Sequence, residues 1–496
     1  MGAPAVKVVV IGAGMGGMSA AIRLAHAGLK VQVVDRAPGP GGKMRTMATE
    51  AGPVDAGPTV MTLRPVFEEL FNSTGARLSD YVTLHREEVL ARHWWPDGGT
   101  LDLFADETAS ADAVGAFAGV QAEREFRAFC ARARRLYQAF EGPMMLAGRP
   151  SQGALTAHVL THPKLILDMA PHRTLAQTLG AQFTDPRLAQ LFGRYATYVG
   201  GSPFRSPAIL GLIWHAEAQG VWRVEGGMKR LAHGLEQLAR AQGAAFTFGT
   251  GVARIETRAG RVAAVHLEDG ARLPADIVVF NGDPAALGAG LLGEGLRDTL
   301  PRAATHPRSL SAYVWSYAAI PKGPELVHHN VFFCTDPHTE FDPIAKGHMP
   351  EDGTLYICAQ DRGTGASPQG LERFEIIMNG PPQADGADPT DEEKQTCRTR
   401  TFETLARFGL TFDPTPGTDW LTTPRQFAKL FPASEGSLYG RSPHGLTASL
   451  KKPTARTKVA GLYLAGGGAH PGAGIPMATL SGRHAAEAIL TDLAST

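Results

Sequence analysis

The sequence predicts an α/β protein in which a Rossmann-like domain is built from discontinuous segments, with a mixed sheet-plus-helix substrate domain and a helical insertion. Three observations predict this fold. The amino terminus is predicted to form a strand over Val6–Ile11, because this run is β-branched. A glycine turn and a helix over Gly14–His26 follow, because apolar residues recur there at helical spacing. The carboxyl terminus repeats this pattern from Gly461 to Leu490. Between them, 78–219 mixes polar and apolar residues at helical spacing with few strand-like runs.

Interruptions between these elements divide the chain into five intervals. Residues 1–77, 220–300 and 421–496 carry the nucleotide-type elements and are predicted to assemble into one domain. Residues 78–219 are predicted to form the mainly helical insertion, and 301–420 the sheet and helices of the substrate domain.

Short apolar runs in the second half of the chain predict further strands. Asp269 and Gly270 are predicted to form a hairpin turn between strands at Val262–Leu267 and Ile277–Phe280, since Asp-Gly tolerates positive φ. The remaining predicted elements are strands Phe246–Ile255, Leu310–Ile320, Asn330–Cys334, Thr354–Cys358 and Phe374–Met378 and a helix Glu392–Phe408.

The composition excludes several classes of protein. The 48 Lys and Arg residues are balanced by 48 Asp and Glu, and there is no basic run, which argues against a nucleic-acid-binding protein. A hydrophobic content of 43% excludes a disordered chain. Glycine is in excess, with 58 of 496 residues against a usual share of about 7%, so the positions of the glycines matter.

Cysteines and histidines give no metal or redox signature in the sequence. No pair of cysteines has CxxC spacing, so a zinc site and a redox dithiol are not indicated, and the protein is expected to be reduced and cytoplasmic. His328–His329 and His470 have no third ligand at a useful spacing, so no metal is expected there. The cysteines are Cys130, Cys334, Cys358 and Cys397.

Two uncharged stretches mimic membrane signals. Val8–Ile22 lacks the solid apolar run and cleavage site of a secretory signal. Val459–Gly482 is long enough to span a bilayer, but its glycines and prolines would leave backbone groups unpaired in lipid. Neither is predicted to cross a membrane.

The first glycine cluster predicts a dinucleotide site. Gly12, Gly14 and Gly17 fit GxGxxG after a strand and before a helix, and Asp35 ends the next strand. In this motif the glycines permit a tight turn, close approach of a pyrophosphate and close helix packing, while the acid accepts hydrogen bonds from a ribose. The motif alone leaves NAD and FAD open.

Two further features favour FAD. Gly41 and Gly42 lie a few residues after Asp35, where flavoproteins of the amine-oxidase type carry a second glycine pair, and Lys43 and Arg45 are candidates to face the pyrophosphate. Near the carboxyl terminus, a strand ends at Gly466 and leads through more glycines into a helix, which could direct backbone amides at a flavin ring.

The carboxyl-terminal run His470–Pro476, HPGAGIP, resembles the signature of bacterial-type carotenoid desaturases, which are FAD oxidoreductases similar to phytoene desaturases. Gly57–Thr59 resembles the family's flavin-side segment, and Val224–Met228 its mid-chain glycine-pair element. The resemblance covers essentially the whole chain. With the motifs above, it implies that the FAD-binding residues are Gly12, Gly14, Gly17, Asp35, Gly41, Gly42, Lys43, Arg45, Gly57, Pro58, Thr59, Val252, Gly466, Gly467, Gly474, Ile475, Pro476 and Met477.

Within the family, His215–Met228 looks like the branch of 1-hydroxycarotenoid 3,4-desaturases, because Trp222-Arg223 stands where phytoene desaturases usually have tyrosine-proline. The resemblance implies a flavin-dependent desaturase that introduces a C-3,4 double bond into an acyclic 1-hydroxycarotenoid. The alternatives are a phytoene-type desaturase or carotene isomerase on the same fold, and a non-catalytic escort that binds prenyl lipids.

The implied reaction removes two hydrogens from a –CH2–CH2– unit beside a polyene, so it needs no nucleophile, metal or catalytic triad. His215 and Glu217 are the candidates for acid/base catalysis, since a strand would place both on one face whereas a helix would separate them. The alternative is a surface pair with structural roles. The sequence does not distinguish oxygen from a quinone as the electron acceptor.

A long carotenoid substrate enters from a membrane, so peripheral membrane association is expected. Leu165–Met169, flanked by Lys164 and His172–Arg173, resembles an interfacial segment, and so does Ile209–Trp214. The alternative is that both segments are buried core helices.

Overall fold

The computed structural model describes residues 6–365, 368–383 and 387–495. The strands in chain order are β1 (Lys7–Ile11), β2 (Lys30–Asp35), β3 (Thr46–Thr49), β4 (Gly52–Asp55), β5 (Leu84–Arg86), β6 (Val89–Trp94), β7 (Thr100–Phe104), β8 (Trp222–Val224), β9 (Ala245–Phe248), β10 (Val252–Arg258), β11 (Arg261–Leu267), β12 (Arg272–Pro274), β13 (Ile277–Phe280), β14 (Ser311–Lys322), β15 (His329–Phe332), β16 (Leu355–Ala359), β17 (Glu372–Gly380), β18 (Thr411–Asp413), β19 (Leu421–Thr422) and β20 (Leu462–Leu464).

The α-helices are α1 (Met15–His26), α2 (Arg64–Asn72), α3 (Glu107–Ala118), α4 (Val120–Phe140), α5 (Gln152–Thr161), α6 (Pro163–Met169), α7 (Leu175–Gln182), α8 (Pro186–Gly193), α9 (Ile213–Ala218), α10 (Lys229–Ala241), α11 (Ala285–Gly288), α12 (Pro337–Ala345), α13 (Asp391–Arg407), α14 (Pro424–Leu430) and α15 (Ile475–Ala494). Within the described residues, no helix is both long and apolar enough to cross a bilayer.

A five-stranded parallel sheet in the order β20-β13-β1-β2-β9 forms the centre of the Rossmann-like domain. Its central strand, β1, is β-branched from Val8 to Ile11, as expected where both faces of a strand are covered. Val8 and Val10 face α1, α10 and α15, whereas Val9 on the opposite face packs with residues of β10 and β11. The α/β prediction with a Rossmann-like FAD-type domain is therefore confirmed, and strands from three distant parts of the chain share this sheet.

An eight-stranded mixed sheet supports the rest of the molecule, with strand order β18-β14-β17-β16-β15-β6-β7 and β19 added beside β14. Strands β6 and β7 come from the interval predicted to be mainly helical, so that interval begins with an unanticipated hairpin that pairs parallel to β15. Leu90, Leu101 and Leu103 of this hairpin are buried, which explains why the segment joins a sheet.

Two predictions about the central strands were wrong. Gly270 lies in the turn between β11 and β12, not between β11 and β13, because β13 belongs to the parallel sheet. The run predicted as one strand, Phe246–Ile255, is broken at Gly249–Gly251, so that β9 and β10 lie in different sheets.

Helices α3, α4 and α7–α9 pack around an aromatic core. Phe126, Phe192 and Trp214 are fully or almost fully buried there and contact one another with ring centroids 5.5–5.8 Å apart. Trp214 therefore belongs to the core, which contradicts its predicted interfacial position, and Ile209, Leu210, Leu212 and Ile213 pack against the same helices. The four cysteines are free and buried.

The crossing of α1 and α15 gives the first prediction. A Cβ on Gly482 would lie 2.1 Å from the carbonyl oxygen of Gly16, a clash with backbone that a side-chain rotation cannot relieve. We expect Gly482→Ala to lower the free energy of unfolding by about 1–3 kcal/mol, read as a lower Tm by calorimetry.

Gly180→Ala is the matched control. Gly180 also lies in a helix, and a Cβ there would meet nothing within 4 Å, so we expect an unchanged or slightly higher Tm. Equal Tm values for the two variants would show that the α1–α15 crossing tolerates a side chain.

Candidate functional site

The glycine turn after β1 has the geometry that the sequence predicts. Gly12 has φ +101°, and its N–H donates to Val34 over 2.8 Å. A Cβ on Gly17 would lie 2.1 Å from the carbonyl oxygen of Gly12, so only glycine fits. Gly14 precedes the first turn of α1, which has no side-chain cap among the described residues, so amide donors there are free for a ligand.

Asp35 holds this turn through both carboxylate oxygens. Oδ2 accepts from the N–H of Ala13 over 2.7 Å, and Oδ1 accepts from Ala37 over 2.8 Å. Each carboxylate oxygen has further lone pairs, so these bonds leave acceptor capacity for a ribose hydroxyl.

The second glycine pair lies directly against the first turn. Gly41 has φ +121° and donates its N–H to the carbonyl of Ala13 over 2.9 Å. A Cβ on Gly42 would lie 3.2 Å from the Cα of Gly14. The structure therefore brings these two predicted motifs together.

Asn281, which the sequence analysis missed, joins this turn to the carboxyl-terminal one. Its Nδ2 donates to the carbonyl of Gly12 over 3.1 Å, while its Oδ1 is buried and has no hydrogen-bond partner among the described residues. A Cβ on Gly16 would lie 2.4 Å from the amide nitrogen of Gly466. Asn281 follows β13, and its position at the carboxyl end of a parallel strand is the signal that could have found it.

Two lysines lie beside these turns. Lys43 Nζ donates to the carbonyl of Leu438, and Lys452 Nζ donates to that of Tyr439 over 3.1 Å. Burial lowers the pKa of Lys43 to about 8, an effect that Asp283 opposes and Arg308 increases. Burial also lowers the pKa of Lys452 to about 8, and Lys43 adds to that shift. Lys452 was not predicted, because a lysine in a polar loop carries no pattern. The two ammonium groups form a positive region suited to an anion.

Arg45 and Gly57 connect the cleft with the eight-stranded sheet. The Arg45 guanidinium lies 5.3 Å from the ring of Phe427. A Cβ on Gly57 would lie 2.1 Å from the carbonyl of Lys43, so this close approach requires glycine. Beneath them, burial and the neighbouring Asp55 raise the pKa of Glu375 well above its usual value, while Arg45 opposes the shift.

The carboxyl-terminal signature ends at the start of α15. Gly474 has φ +99° and precedes the helix, and Pro476 lies in the first turn, where its missing N–H is not needed. This turn has no side-chain cap among the described residues, so its amides, including that of Met477, are free for a ligand. Gly467 packs against the segment just before the helix, since a Cβ on it would lie 3.5 Å from the Cα of Ala473. Val252 lies instead behind the parallel sheet, partly buried against the cluster that contains Val34.

A cavity of about 630 Å³ opens beside these segments. Gly57–Thr59 and Gly474–Pro476 both line it, so the structure brings these two predicted flavin-side segments to the same cavity. Most of the other wall is apolar or aromatic, and helices α7 and α8 and the eight-stranded sheet supply it. Its apolar members include Val60, Trp95, Ala189, Pro203, Phe204, Phe333, Phe341 and Ile377.

The predicted acid/base pair lies on helix α9, which is the case in which the two side chains are separated rather than placed on one face. Glu217 is buried and accepts hydrogen bonds from the hydroxyls of Tyr195, over 2.7 Å, and Tyr198. His215 is half-buried with its ring edge-on to Tyr137, and burial lowers its pKa. Neither residue is part of the described cavity wall, and their catalytic role stays a prediction.

The histidines predicted to lack a third ligand do have a neighbour in space. His328, His329 and Cys358 are buried with potential ligand atoms within 4.8 Å of one another. Burial lowers the pKa of both imidazoles, to about 4 for His328, and raises that of the thiol well above its usual value. His470 lies elsewhere, with its Nε2 bonded to the carbonyl of Ala147 over 2.9 Å.

The geometry of the site alone fits a dinucleotide cofactor. The glycine turn excludes side chains, the start of α1 offers unpaired amides, and the buried Oδ1 of Asn281 lacks a partner in the described part of the chain. The cleft continues into an apolar cavity, so a dinucleotide there would end beside a space for an apolar substrate.

Comparison with known proteins agrees with this geometry. A family model described as flavin containing amine oxidoreductase matches residues 15–490. The chain is 59% identical over 489 residues to a hydroxyneurosporene desaturase of Cereibacter sphaeroides, covering 99% of this chain and 98% of that protein. It is 50% identical to a hydroxyneurosporene desaturase of Rhodobacter capsulatus, covering 98% of each.

The fold is similar to that of a solved putrescine oxidase triple mutant, with a TM-score of 0.59 at 14% identity, covering 99% of this chain and 100% of that one. The chain therefore belongs to the flavin-containing amine oxidoreductase family and is an FAD-dependent oxidoreductase among its carotenoid desaturases.

Proposed function

We propose that this chain introduces the C-3,4 double bond into an acyclic 1-hydroxycarotenoid, such as 1-hydroxyneurosporene. The cavity carries the proposal, because its mainly apolar wall suits a long uncharged polyene and includes Gly57–Thr59 and Gly474–Pro476. The two similar relatives are both hydroxyneurosporene desaturases, which supports the same substrate class.

In this proposal the predicted glycines and Asp35 hold the FAD. The amides at the start of α1 bind its phosphates, Asp35 accepts from its ribose, and Lys43 and Lys452 face its anionic part. When bound, FAD supplies the two-electron oxidant for the removal of hydrogen from carbon.

The chain itself contributes positioning and exclusion of water. The cavity wall holds the extended polyene with its saturated end toward Gly57–Thr59, and ordered placement of the reacting carbons lowers the barrier. The apolar surroundings keep water from the reacting carbons.

We propose further that the protein associates peripherally with a membrane through α5 and α6. Leu160 and Leu167 on these helices are 68% and 80% exposed, and Ile166 is 40% exposed, whereas Leu165 is buried. Lys164 and Arg173 are exposed nearby, as expected at a lipid headgroup surface. A carotenoid dissolves in the bilayer, so this attachment would bring the cavity to its substrate.

The first test of these proposals concerns the cofactor. We expect Lys452→Met to weaken FAD binding to apoprotein by about tenfold or more, since it removes a charge-assisted contact. Wild-type affinity should fall as the pH rises through about 8, where the lowered pKa values release the lysine protons, and the variant should show a smaller fall.

Lys451→Met is the control for this titration, because Lys451 is the exposed neighbour in sequence. Isothermal titration of FAD at pH 6.5 to 9.5 provides the measurement. Equal affinities for Lys452→Met and Lys451→Met would contradict a role for Lys452 at the cofactor.

The second test concerns the reaction. We expect anaerobic mixing with 1-hydroxyneurosporene to bleach the flavin absorbance and to shift the carotenoid spectrum to longer wavelengths by one added double bond. Conversion of phytoene in several successive steps would instead indicate the phytoene-type alternative. Binding of carotenoids without bleaching would indicate a prenyl-lipid escort.

The third test is liposome flotation. We expect the wild-type protein to float with vesicles that contain anionic lipid, and Leu160→Ser/Leu167→Ser to reduce the floating fraction several-fold, because it removes exposed apolar side chains. The control Leu291→Ser removes a leucine that is 51% exposed on another part of the chain. Equal flotation of both variants would contradict attachment through α5 and α6.

A further inference from the structure

One side chain in the cavity wall has hydrogen-bond donors for which the described part of the chain provides no acceptor. Arg194 lines the cavity, and its Nε and Nη2 are buried without hydrogen-bond partners in the described part of the chain. Its Nη1 donates to the hydroxyl of Tyr198 over 3.1 Å. Buried unpaired donors are unfavourable, so their presence in a cavity wall points to a ligand acceptor.

The charge of Arg194 is compensated without a direct ion pair. The hydroxyls of Tyr195 and Tyr198 both donate to Glu217, and the Arg194 guanidinium lies 5.3 and 5.2 Å from these two rings. Tyr198 lines the cavity, whereas Tyr195 is fully buried behind it. The Tyr198 oxygen donates to Glu217 and accepts from Arg194, which leaves it one lone pair for another donor.

Two other polar side chains of the cavity wall are already used within the protein. Gln190 donates to the carbonyl of Cys334 over 2.9 Å and accepts from Trp95 over 3.0 Å. Asn379 donates to Glu340 over 2.7 Å. Among the residues that line the cavity, only Arg194 has buried side-chain donors without a partner in the described part of the chain.

This polar group and the predicted flavin-side segment line the same cavity. Tyr198, Tyr356 and Thr59 all belong to its wall, and the Tyr356 hydroxyl is 2.7 Å from Oγ1 of Thr59. In a 1-hydroxycarotenoid a single carbon separates C-1 from C-3, so the hydroxyl must enter the same end as the reacting bond.

We propose that Arg194 and Tyr198 bind the C-1 hydroxyl of the substrate and select hydroxylated over hydrocarbon ends. An N–H of Arg194 donates to the substrate oxygen, and the substrate hydroxyl donates to the Tyr198 oxygen. Glu217 is a positioning residue that holds Tyr198. This inference rests on the proposed function, because it assigns the recognition of the substrate proposed above.

The test measures binding to holoenzyme whose flavin has been reduced anaerobically, so that no turnover occurs. Quenching of tryptophan fluorescence reports occupancy, since Trp95 lines the cavity. The ligands are 1-hydroxyneurosporene, its 1-methyl ether and the 1,2-dihydro hydrocarbon that lacks the oxygen. We expect the wild type to bind the hydroxylated ligand about 10–100-fold more tightly than the hydrocarbon.

Two variants test separately the contacts that Arg194 and Tyr198 make with the substrate hydroxyl. Arg194→Met should reduce the preference for the hydroxylated ligand over the hydrocarbon to about threefold or less. Tyr198→Phe should reduce the preference for the hydroxyl over the methyl ether, because only the hydroxyl donates. Tyr313→Phe is the matched control, since it removes a phenol that donates to another carboxylate, Glu393 over 3.3 Å, outside the described cavity wall, and it should keep both preferences.

Two results would overturn the inference. One is an equal loss of affinity for all three ligands in Arg194→Met, which would place the guanidinium against the polyene. The other is an unchanged preference in both Arg194→Met and Tyr198→Phe. Failure of the proposed function is read separately, as the absence of flavin bleaching by 1-hydroxyneurosporene in the wild type, whatever the binding preferences are.

Discussion

Close backbone contact between the first glycine turn and the carboxyl-terminal turn determines how the Rossmann-like domain is assembled. The carbonyl of Gly16 lies against Gly482, and the Gly16 Cα lies against the amide of Gly466. These contacts leave no room for side chains, so the starts of α1 and α15 come to one edge of the parallel sheet. Two sets of unpaired helix amides therefore face one cleft, although more than 400 residues separate them in the chain.

The eight-stranded sheet closes the other side of this cleft, and one row of its residues is unusually polar. His329, Cys358, Glu375 and Ser316 are paired in register across β15, β16, β17 and β14, and all are buried. The pKa directions of the first three favour their neutral forms. The sheet thus offers hydrogen-bonding groups near the cavity without adding charge to it, which suits an uncharged substrate.

The sequence predicted elements whose patterns are local. Strand β1 follows from its β-branched run, β13 has the predicted bounds Ile277–Phe280, and the turn at Gly12 follows from the need for positive φ. The predictions failed where contacts between residues distant in the sequence determine the structure. The hairpin of β6 and β7 joins a sheet whose other strands come more than 200 residues later, and Cys358 meets His329 only through strand pairing.

The proposed role of Arg194 could not be predicted from the sequence either, because no motif surrounds this residue. The role is indicated by the groups that lie around it in the structure. A lone guanidinium in an apolar wall would be strongly unfavourable, but the Tyr198 hydroxyl accepts from Arg194 and donates to Glu217, and so connects the two. Glu217, predicted as an acid/base catalyst, also accepts a hydrogen bond from Tyr195, so two phenols hold its position behind the cavity wall. A wall that maintains such an arrangement beside the flavin-side segment is suited to a ligand that combines an apolar chain with one uncharged oxygen near its reacting end.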